Sequence, residues 1–344
     1  MPWNDLYKTH RQIDKSSASY VCSISGLRSV GRCLDDNLKQ RYFAVSFLNA
    51  LFFLVKIIIK NKEQDSSIII HVHNMSLVPY VLFLRLFDVK FVLNVHNSLV
   101  NFNFYQYYLL KFGSKLFDAI IPVSFSVGDE VLRTFPWVKE ITHPIENGIH
   151  VNELLKTNNL SCFSNKTIDV IVVARFVEQK NVSKVLSVLS KCKNINKVVW
   201  YGKGIEMDLA KKEVKKGCLA SVFEFKGIRP RQEVLNAIDQ SKIYFSLSKW
   251  EGLGVANLEA LSLPTEVILS KIPPHNELFI DENLTLVDLD SSEKDIANII
   301  DTKIVNYEKR ESFLLARSAA TRIRYDLRVL VGKYLDVYSG LIKS

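Results

Sequence analysis

Short apolar runs, each followed by a helical pattern, recur along the second half of the chain and constrain its fold more than any other feature. The runs are TIDVIVVARF, NKVVWYGKG, SVFEFKGI, KIYFSLSKW, TEVILSKI and LTLVDLD, and stretches such as NVSKVLSVLSKC and RQEVLNAIDQ fill the gaps. A run that is apolar on both faces has no side to offer water. It must be covered twice, and a spacing of roughly 20–30 residues leaves room for the helix that covers it, as in βαβ units. The first half repeats the pattern with SSIIIHVHN (Ser66–Asn74), KFVLNVHNS (Lys90–Ser98) and DAIIPVS (Asp118–Ser124), separated by PYVLFLRLF and FNFYQYYLLKFGSKLF. A polar stretch near 148–166 reads as a linker. Two doubly wound α/β domains are therefore expected, 1–150 and 151–325, with ligands at the carboxyl ends of their strands. The 344 residues suffice for both cores. The final ATRIRYDLRVLVGKYLDVYSGLIK reads as helix that can cap either domain, and 326–344 is expected to pack back toward the N-terminal one.

Composition excludes several classes. The formal net charge of +9 is spread over both halves, which suits anionic ligands or an acidic membrane surface. No nucleic-acid-binding motif accompanies it. Five cysteines, never closer than 11 positions apart, suggest neither a metal site nor a disulfide framework and fit a reducing cytoplasm. No signal-peptide pattern opens the chain. The run Tyr42–Ile59 approaches membrane-spanning length, but Asn49 and Lys56 interrupt it, so a buried or interfacial helix is the better reading. His71 and His73 share a strand face without an apparent third ligand, so a structural or ligand-lining role outweighs a metal site. The Asp-x-Asp at Asp288–Asp290 reads as a solvated loop. In FNFYQYYLLKF the aromatics read as core on one face, although Tyr and Phe beside lysine also suit a membrane interface.

The chemistry concentrates in SKWEGLGVANLEALSLP, where a strand gives way to a helix through Glu251, Gly252, Leu253, Gly254 and Val255, with Glu259 eight positions after Glu251. The glycines permit a tight turn and close approach to the amides of the helix start, which favour phosphate. Two carboxylates repel phosphate and accept hydrogen bonds from hydroxyls. Hydroxyls, diphosphate and hydroxyls in that order describe a nucleotide sugar. In VARFVEQKN, Arg175 at a strand end and Lys180 near the next helix supply fixed cations for a leaving diphosphate without a metal.

These residues resemble the retaining glycosyltransferases of family 4, most strongly over 169–277 and more weakly over 68–150. The Arg175…Lys180 pair, the Gly202 and Gly204 of YGKG, and Glu251…Glu259 look like that family's motifs. The resemblance implies a GT-B fold, two facing Rossmann-like doubly wound domains. It implies donor binding by Arg175, Lys180, Gly252, Leu253, Gly254, Val255 and Glu259, with His96 and Glu251 beside the reacting sugar. It also implies a nucleotide-diphosphate sugar donor, UDP favoured over GDP, no metal or other cofactor, and a glycan or lipid-linked acceptor. A setting in bacterial O-antigen or capsule assembly at the inner membrane face follows from family habit. The sequence departs from the pattern in two places. The first 33 residues contain no Gly-Gly pair, so the first βα unit is missing or has diverged, and Pro264 and Pro273-Pro274 stand where glycines are usual. The first departure motivates the alternative of a non-catalytic GT-B module that binds a nucleotide sugar or a partner protein.

Overall fold

The computed structural model describes strands at 21–23, 30–34 and 40–44, positions within 51–59, and residues 68–73, 77–156, 163, 166–216, 220–278 and 284–343. The chain divides into two compact units, one of Met1–Glu146 with Leu327–Ser344 and the other of Asn147–Asp326.

The first described elements of the first unit are β1 (Val21–Ser23), β2 (Val30–Leu34) and β3 (Gln40–Ala44), which pair antiparallel. The sequence offered no sign of this hairpin arrangement. It also corrects the reading of Tyr42–Ile59 as one helix, because Tyr42–Ala44 belongs to β3, while the described positions from Leu51 to Ile59 are helical. A run rich in Phe, Val and Ile satisfies either state locally, and pairing with β2 decides it. Among the described residues no helix is long and apolar enough to cross a membrane.

A parallel sheet follows, of β4 (Ile69–Val72), β5 (Lys90–Val95) and β6 (Ala119–Pro122), connected through α1 (Val78–Leu84) and α2 (Phe104–Gly113) and followed by α3 (Phe125–Thr134). Alternate residues of β5 face opposite ways, as the two-residue period of a strand requires. Phe91, Leu93 and Val95 pack with Val78, Val81 and Leu110 on one face, while Val92 joins Ala119, Ile121 and Tyr334 on the other. Asn103 caps α2 reciprocally with Gln106, and Ser124 caps α3.

The second unit opens with the short α4 (Val151–Leu154) and holds one parallel six-stranded sheet. Its strands are β7 (Ile168–Val173), β8 (Val198–Tyr201), β9 (Phe223–Gly227), β10 (Ser241–Ser246), β11 (Glu266–Ser270) and β12 (Thr285–Val287). The helices are α5 (Val182–Leu189), α6 (Met207–Lys216), α7 (Arg231–Asp239), α8 (Val255–Leu261), α9 (Pro273–Asn276), α10 (Glu293–Val305) and α11 (Glu311–Arg324). The spatial order β12-β11-β10-β7-β8-β9 reverses between β7 and β10. In an open α/β sheet the loops leaving such a pair diverge to opposite faces and leave a crevice at the strands' carboxyl ends.

The final helical stretch is not continuous. It breaks after α11, where Tyr325 and Asp326 are drawn to Ile149, and resumes as α12 (Leu327–Lys343), which belongs to the first unit. A helical period survives the break, which is why the sequence hides it. In α2, the expectation that the aromatics form core on one face is also corrected. Leu110 and Gly113 are the buried residues of this helix, Tyr107 leans on the buried Phe135, and Phe104, Tyr105, Tyr108 and Phe112 lie outward.

Candidate active site

The loops that follow β7 and β10, neighbours at the switch point, carry Arg175–Lys180 and Ser248–Gly254. Gln179 connects them. It accepts a hydrogen bond from Arg175 at 3.2 Å, donates from Nε2 to the Trp250 carbonyl at 2.8 Å, and its own carbonyl accepts from the Lys249 amide at 2.8 Å. Lys180 Nζ donates to Glu251 Oε1, which also accepts from the Ser248 hydroxyl at 2.8 Å. Gln179 Nε2 also reaches Glu251 Oε2 at 3.5 Å, so Arg175, Lys180 and Glu251 form one group through Gln179, which carried no signal in the sequence although it lies between the two cations. An ammonium has three donors, and Glu251 engages one of them, leaving capacity for an anion beside the carboxylate.

The glycines of YGKG serve this loop. Gly202 has φ +138°, in a region L side chains rarely adopt, and a Cβ there would lie 2.0 Å from the Ala174 carbonyl oxygen. At Gly204 a Cβ would lie 2.1 Å from the Phe176 carbonyl oxygen. Two bare backbones are needed for the loop after β8 to seat the loop that carries Arg175. The seat is fixed by hydrogen bonds from Phe176 N to the Lys203 carbonyl and from Glu206 N to the Phe176 carbonyl, at 3.2 and 3.1 Å.

The turn through Gly252, Leu253 and Gly254 is held from both sides. The Leu253 carbonyl accepts from Asn147 Nδ2 at 3.0 Å, and Leu253 itself is buried. Gly254 is the N-cap of α8, and a Cβ on it would approach Asn257 Nδ2 to 2.7 Å. Asn257 is buried with both ends of its amide used. Tyr244 donates to Oδ1 at 2.9 Å, and Nδ2 lies 3.0 Å from His275 Nε2. His275 Nδ1 lies 2.7 Å from the Ser270 carbonyl, which can only accept, so the proton sits on Nδ1 and Nε2 accepts from Asn257. Burial lowers the His275 pKa to about 4 and keeps the ring neutral. Pro273 and Pro274, unusual for the family resembled, start the short helix that carries this histidine, a position that suits a residue without an N–H. The Ser270 hydroxyl closes the set by donating to the Ser248 carbonyl at 2.6 Å. The floor beneath Glu251 is therefore a connected polar network rather than apolar packing.

Glu259 is buried in α8. Burial raises its pKa, opposed by the Arg231 guanidinium, which donates to Glu259 Oε1 at 2.9 Å and reaches Glu153 at 3.3 Å. Arg231 begins α7 and carried no signal in the sequence beyond its charge. Val255 is the first residue of α8.

His96 lies in the other unit, after β5. Its ring stacks on His73 at a centroid distance of 5.6 Å, and His73 lies against His71 at 4.1 Å with the rings tilted by 30°. His71 Nδ1 lies 2.6 Å from the Tyr338 hydroxyl of α12. Crowding by protein atoms lowers His96 to about 4 and His71 to about 3, and burial followed by the charge of its neighbours lowers His73. The three rings are neutral at pH 7 and can both donate and accept at hydroxyls. Among the described residues no group of three or more His, Cys, Asp or Glu could hold a metal ion. Asp288 and Asp290 are exposed after β12.

Residues 161–314 match the family described as Glycosyl transferases group 1. The chain is 30% identical over 140 residues to the GDP-mannose:cellobiosyl-diphosphopolyprenol alpha-mannosyltransferase of Xanthomonas oryzae pv. oryzae, a stretch covering 39% of this chain and 37% of that relative. A second such mannosyltransferase, from Xanthomonas campestris, is covered to 38%, so the matches span less than two fifths of these relatives' length. The O-antigen biosynthesis glycosyltransferase WclY of Escherichia coli is 26% identical over 280 residues, 74% of this chain and 73% of WclY. Among solved structures, Anabaena Alr3699/HepE in complex with UDP and glucose superposes with a TM-score of 0.70 at 16% identity, covering 83% of this chain and 81% of that one. The fold is thus α/β and GT-B, and the segment similar to the glycosyl transferases of group 1 is residues 161–314, which lie in the second unit.

Proposed function

We propose that the chain is a retaining glycosyltransferase of family 4 that moves a hexose from a nucleotide-diphosphate donor, UDP before GDP, to a growing surface glycan. One observation carries the reading: the loops leaving β7 and β10 join Arg175, Lys180 and Glu251 in one hydrogen-bonded group inside the segment matched to the group 1 glycosyltransferases. In this reading Arg175 and Lys180 hold the diphosphate, assisted by backbone of Gly252, Leu253, Gly254 and Val255. Glu251 accepts from the donor sugar, and Glu259 from the ribose. The bond from the anomeric carbon to the diphosphate breaks with its electron pair passing to the diphosphate oxygen. The acceptor hydroxyl attacks the same face, and its proton passes to the departing diphosphate. Fixed cations stabilise the charge that develops there, without a metal. His96, whose ring is neutral at pH 7, is assigned the hydroxyl of the reacting sugar in this reading. The names of the relatives, an O-antigen enzyme and enzymes acting on a diphosphopolyprenol, support a lipid-linked acceptor at the inner face of the membrane.

Calorimetric titration with UDP and with GDP tests the donor site. Binding of UDP with a heat that Arg175→Ala and Lys180→Ala each reduce about tenfold or more in affinity is expected, as for lost hydrogen bonds to charged groups. No binding of either nucleotide at millimolar concentration overturns the assignment. Nucleotide binding without transfer or donor hydrolysis points instead to the non-catalytic module.

A further inference from the structure

The outer face of α2 is built the wrong way round for a helix in water. A surface helix ordinarily places apolar residues inward and polar residues outward. Here Leu110 and Gly113 are buried, with Gly113 packed so closely on Val78 that a Cβ would meet it at 2.5 Å. Phe104, Tyr108 and Phe112, spaced four apart on one stripe, lie outward, and Phe104 and Phe112 are 78% and 67% exposed. Tyr105 and Tyr107 flank the stripe, and Val100 precedes it at 78% exposed. The rings touch one another, with centroids 4.4 Å apart for Phe104–Tyr108 and 5.9 Å for Tyr108–Phe112. The result is a continuous aromatic ridge, and contiguous exposed apolar surface marks an interaction site.

Charge and ring chemistry select the occupant. From Leu99 to Phe117 the chain contains Lys111 and Lys115 and no acidic residue. Lys111 Nζ lies 5.6 Å from the centre of the Tyr108 ring, so the cation sits at the edge of the ridge. Rings with one apolar end and one hydroxyl, bordered by lysines whose stems can snorkel, fit the boundary between lipid headgroups and acyl chains. Anionic headgroups attract the lysines.

We propose that the face of α2 formed by Phe104, Tyr105, Tyr108 and Phe112, with Lys111 and Lys115, is a docking surface for an anionic lipid bilayer. The helix lies in the plane of the interface, its rings among the headgroups and its inner side on the protein core. This deepens the membrane-facing part of the function proposed above, and its test uses neither nucleotide nor transfer, so either reading can fail alone.

The purified full chain is sedimented with vesicles of phosphatidylcholine and with vesicles of equal phosphatidylcholine and phosphatidylglycerol. The wild type is expected to pellet with the mixed vesicles and far less with the neutral ones. Phe104→Ser with Phe112→Ser lowers the partition coefficient by about tenfold per ring. Lys111→Ala and Lys115→Ala each lower it about fivefold at low salt, an effect that added salt erases. The aromatic variant removes exposed side chains and is expected to keep the wild-type circular dichroism spectrum and melting temperature. Failure of the wild type to bind the mixed vesicles overturns the proposal. So does unchanged vesicle binding by the folded aromatic variant. A wild type that sediments as a dimer, with the variant monomeric, also overturns it by giving the ridge a second copy of the chain as occupant.

Discussion

Replacing Gly204 with alanine adds one methyl group at a point where nothing can yield cheaply. The new Cβ lies 2.1 Å from the Phe176 carbonyl oxygen, 2.6 Å from its carbon and 2.7 Å from its nitrogen, whereas ordinary contact begins near 3.4 Å. The difference, 3.4 less 2.1, requires the two loops to part by about 1.3 Å. Phe176 cannot rotate away, because the obstacle is its backbone and its ring is stacked on the buried Trp200 at 4.5 Å. The whole loop must lift, carrying Arg175 and Lys180 with it and stretching the hydrogen bonds of Phe176 to Lys203 and Glu206. Overpacking of this kind costs about 1–3 kcal/mol. For a unit the size of Asn147–Asp326 that corresponds to a fall in melting temperature of about 3–9 °C. If the cations hold a donor diphosphate, displacing them weakens UDP binding by at least about tenfold, although no donor-binding group has been altered. Differential scanning calorimetry and UDP titration of the variant check both figures. A Gly204→Ala protein with wild-type melting and wild-type UDP affinity refutes the claim that these glycines seat the loop.

Two further outcomes are expected. Gly332, within α12, has no atom within 4 Å of a prospective Cβ, so Gly332→Ala gains helix propensity without a clash and stabilises by about 0.5–1 kcal/mol, read as a higher denaturant midpoint at unchanged slope. His275, lowered by burial from 6.5 to about 4, binds fewer protons folded than unfolded between those values, so stability falls as the pH is lowered through that window, by up to roughly 3 kcal/mol from this group. His71 and His96 act in the same direction, so a His275→Gln variant should show a shallower rather than a flat decline between pH 7 and pH 4 in thermal denaturation. Equal slopes would count against the buried neutral imidazole.

The parallel sheet of the second unit was legible because each strand is apolar on both faces and each helix keeps its period, patterns that survive without any knowledge of contacts. The six strand runs named from the sequence, from TIDVIVVARF to LTLVDLD, contain the strands β7 to β12 except for Ser241, the first residue of β10. What was not legible depends on partners distant in sequence. The strand state of Tyr42–Ala44 depends on pairing with β2, and the break at Tyr325 on the hydrogen bond from Ile149 N to the Tyr325 carbonyl. In the candidate site, Arg175, Lys180, Glu251 and Glu259 could be selected because charge at a turn is conspicuous. Gln179, Asn257 and His275 could not, since an amide or imidazole earns its role only from what lies within 3 Å of it. The outward aromatics of α2 were misread for the opposite reason: rings at helical spacing ordinarily report a core, and the sequence does not say which side of the helix the core occupies.

The second unit is entered at Asn147 and left at Asp326, and these two ends are tied by the parallel bridge of Ile149 with Asp326. It is therefore an insertion within the first unit, whose sheet waits for α12 to bring Tyr334 onto Val92, Ala119 and Ile121. On the ribosome the unit begun first is completed last. Until its final helix emerges, one face of the β4–β6 sheet lacks its cover, while the whole of the inserted unit can already be folded. Loss of α12 should thus be felt as aggregation of nascent chains rather than as a defect in the inserted unit, whose own polypeptide is finished by then.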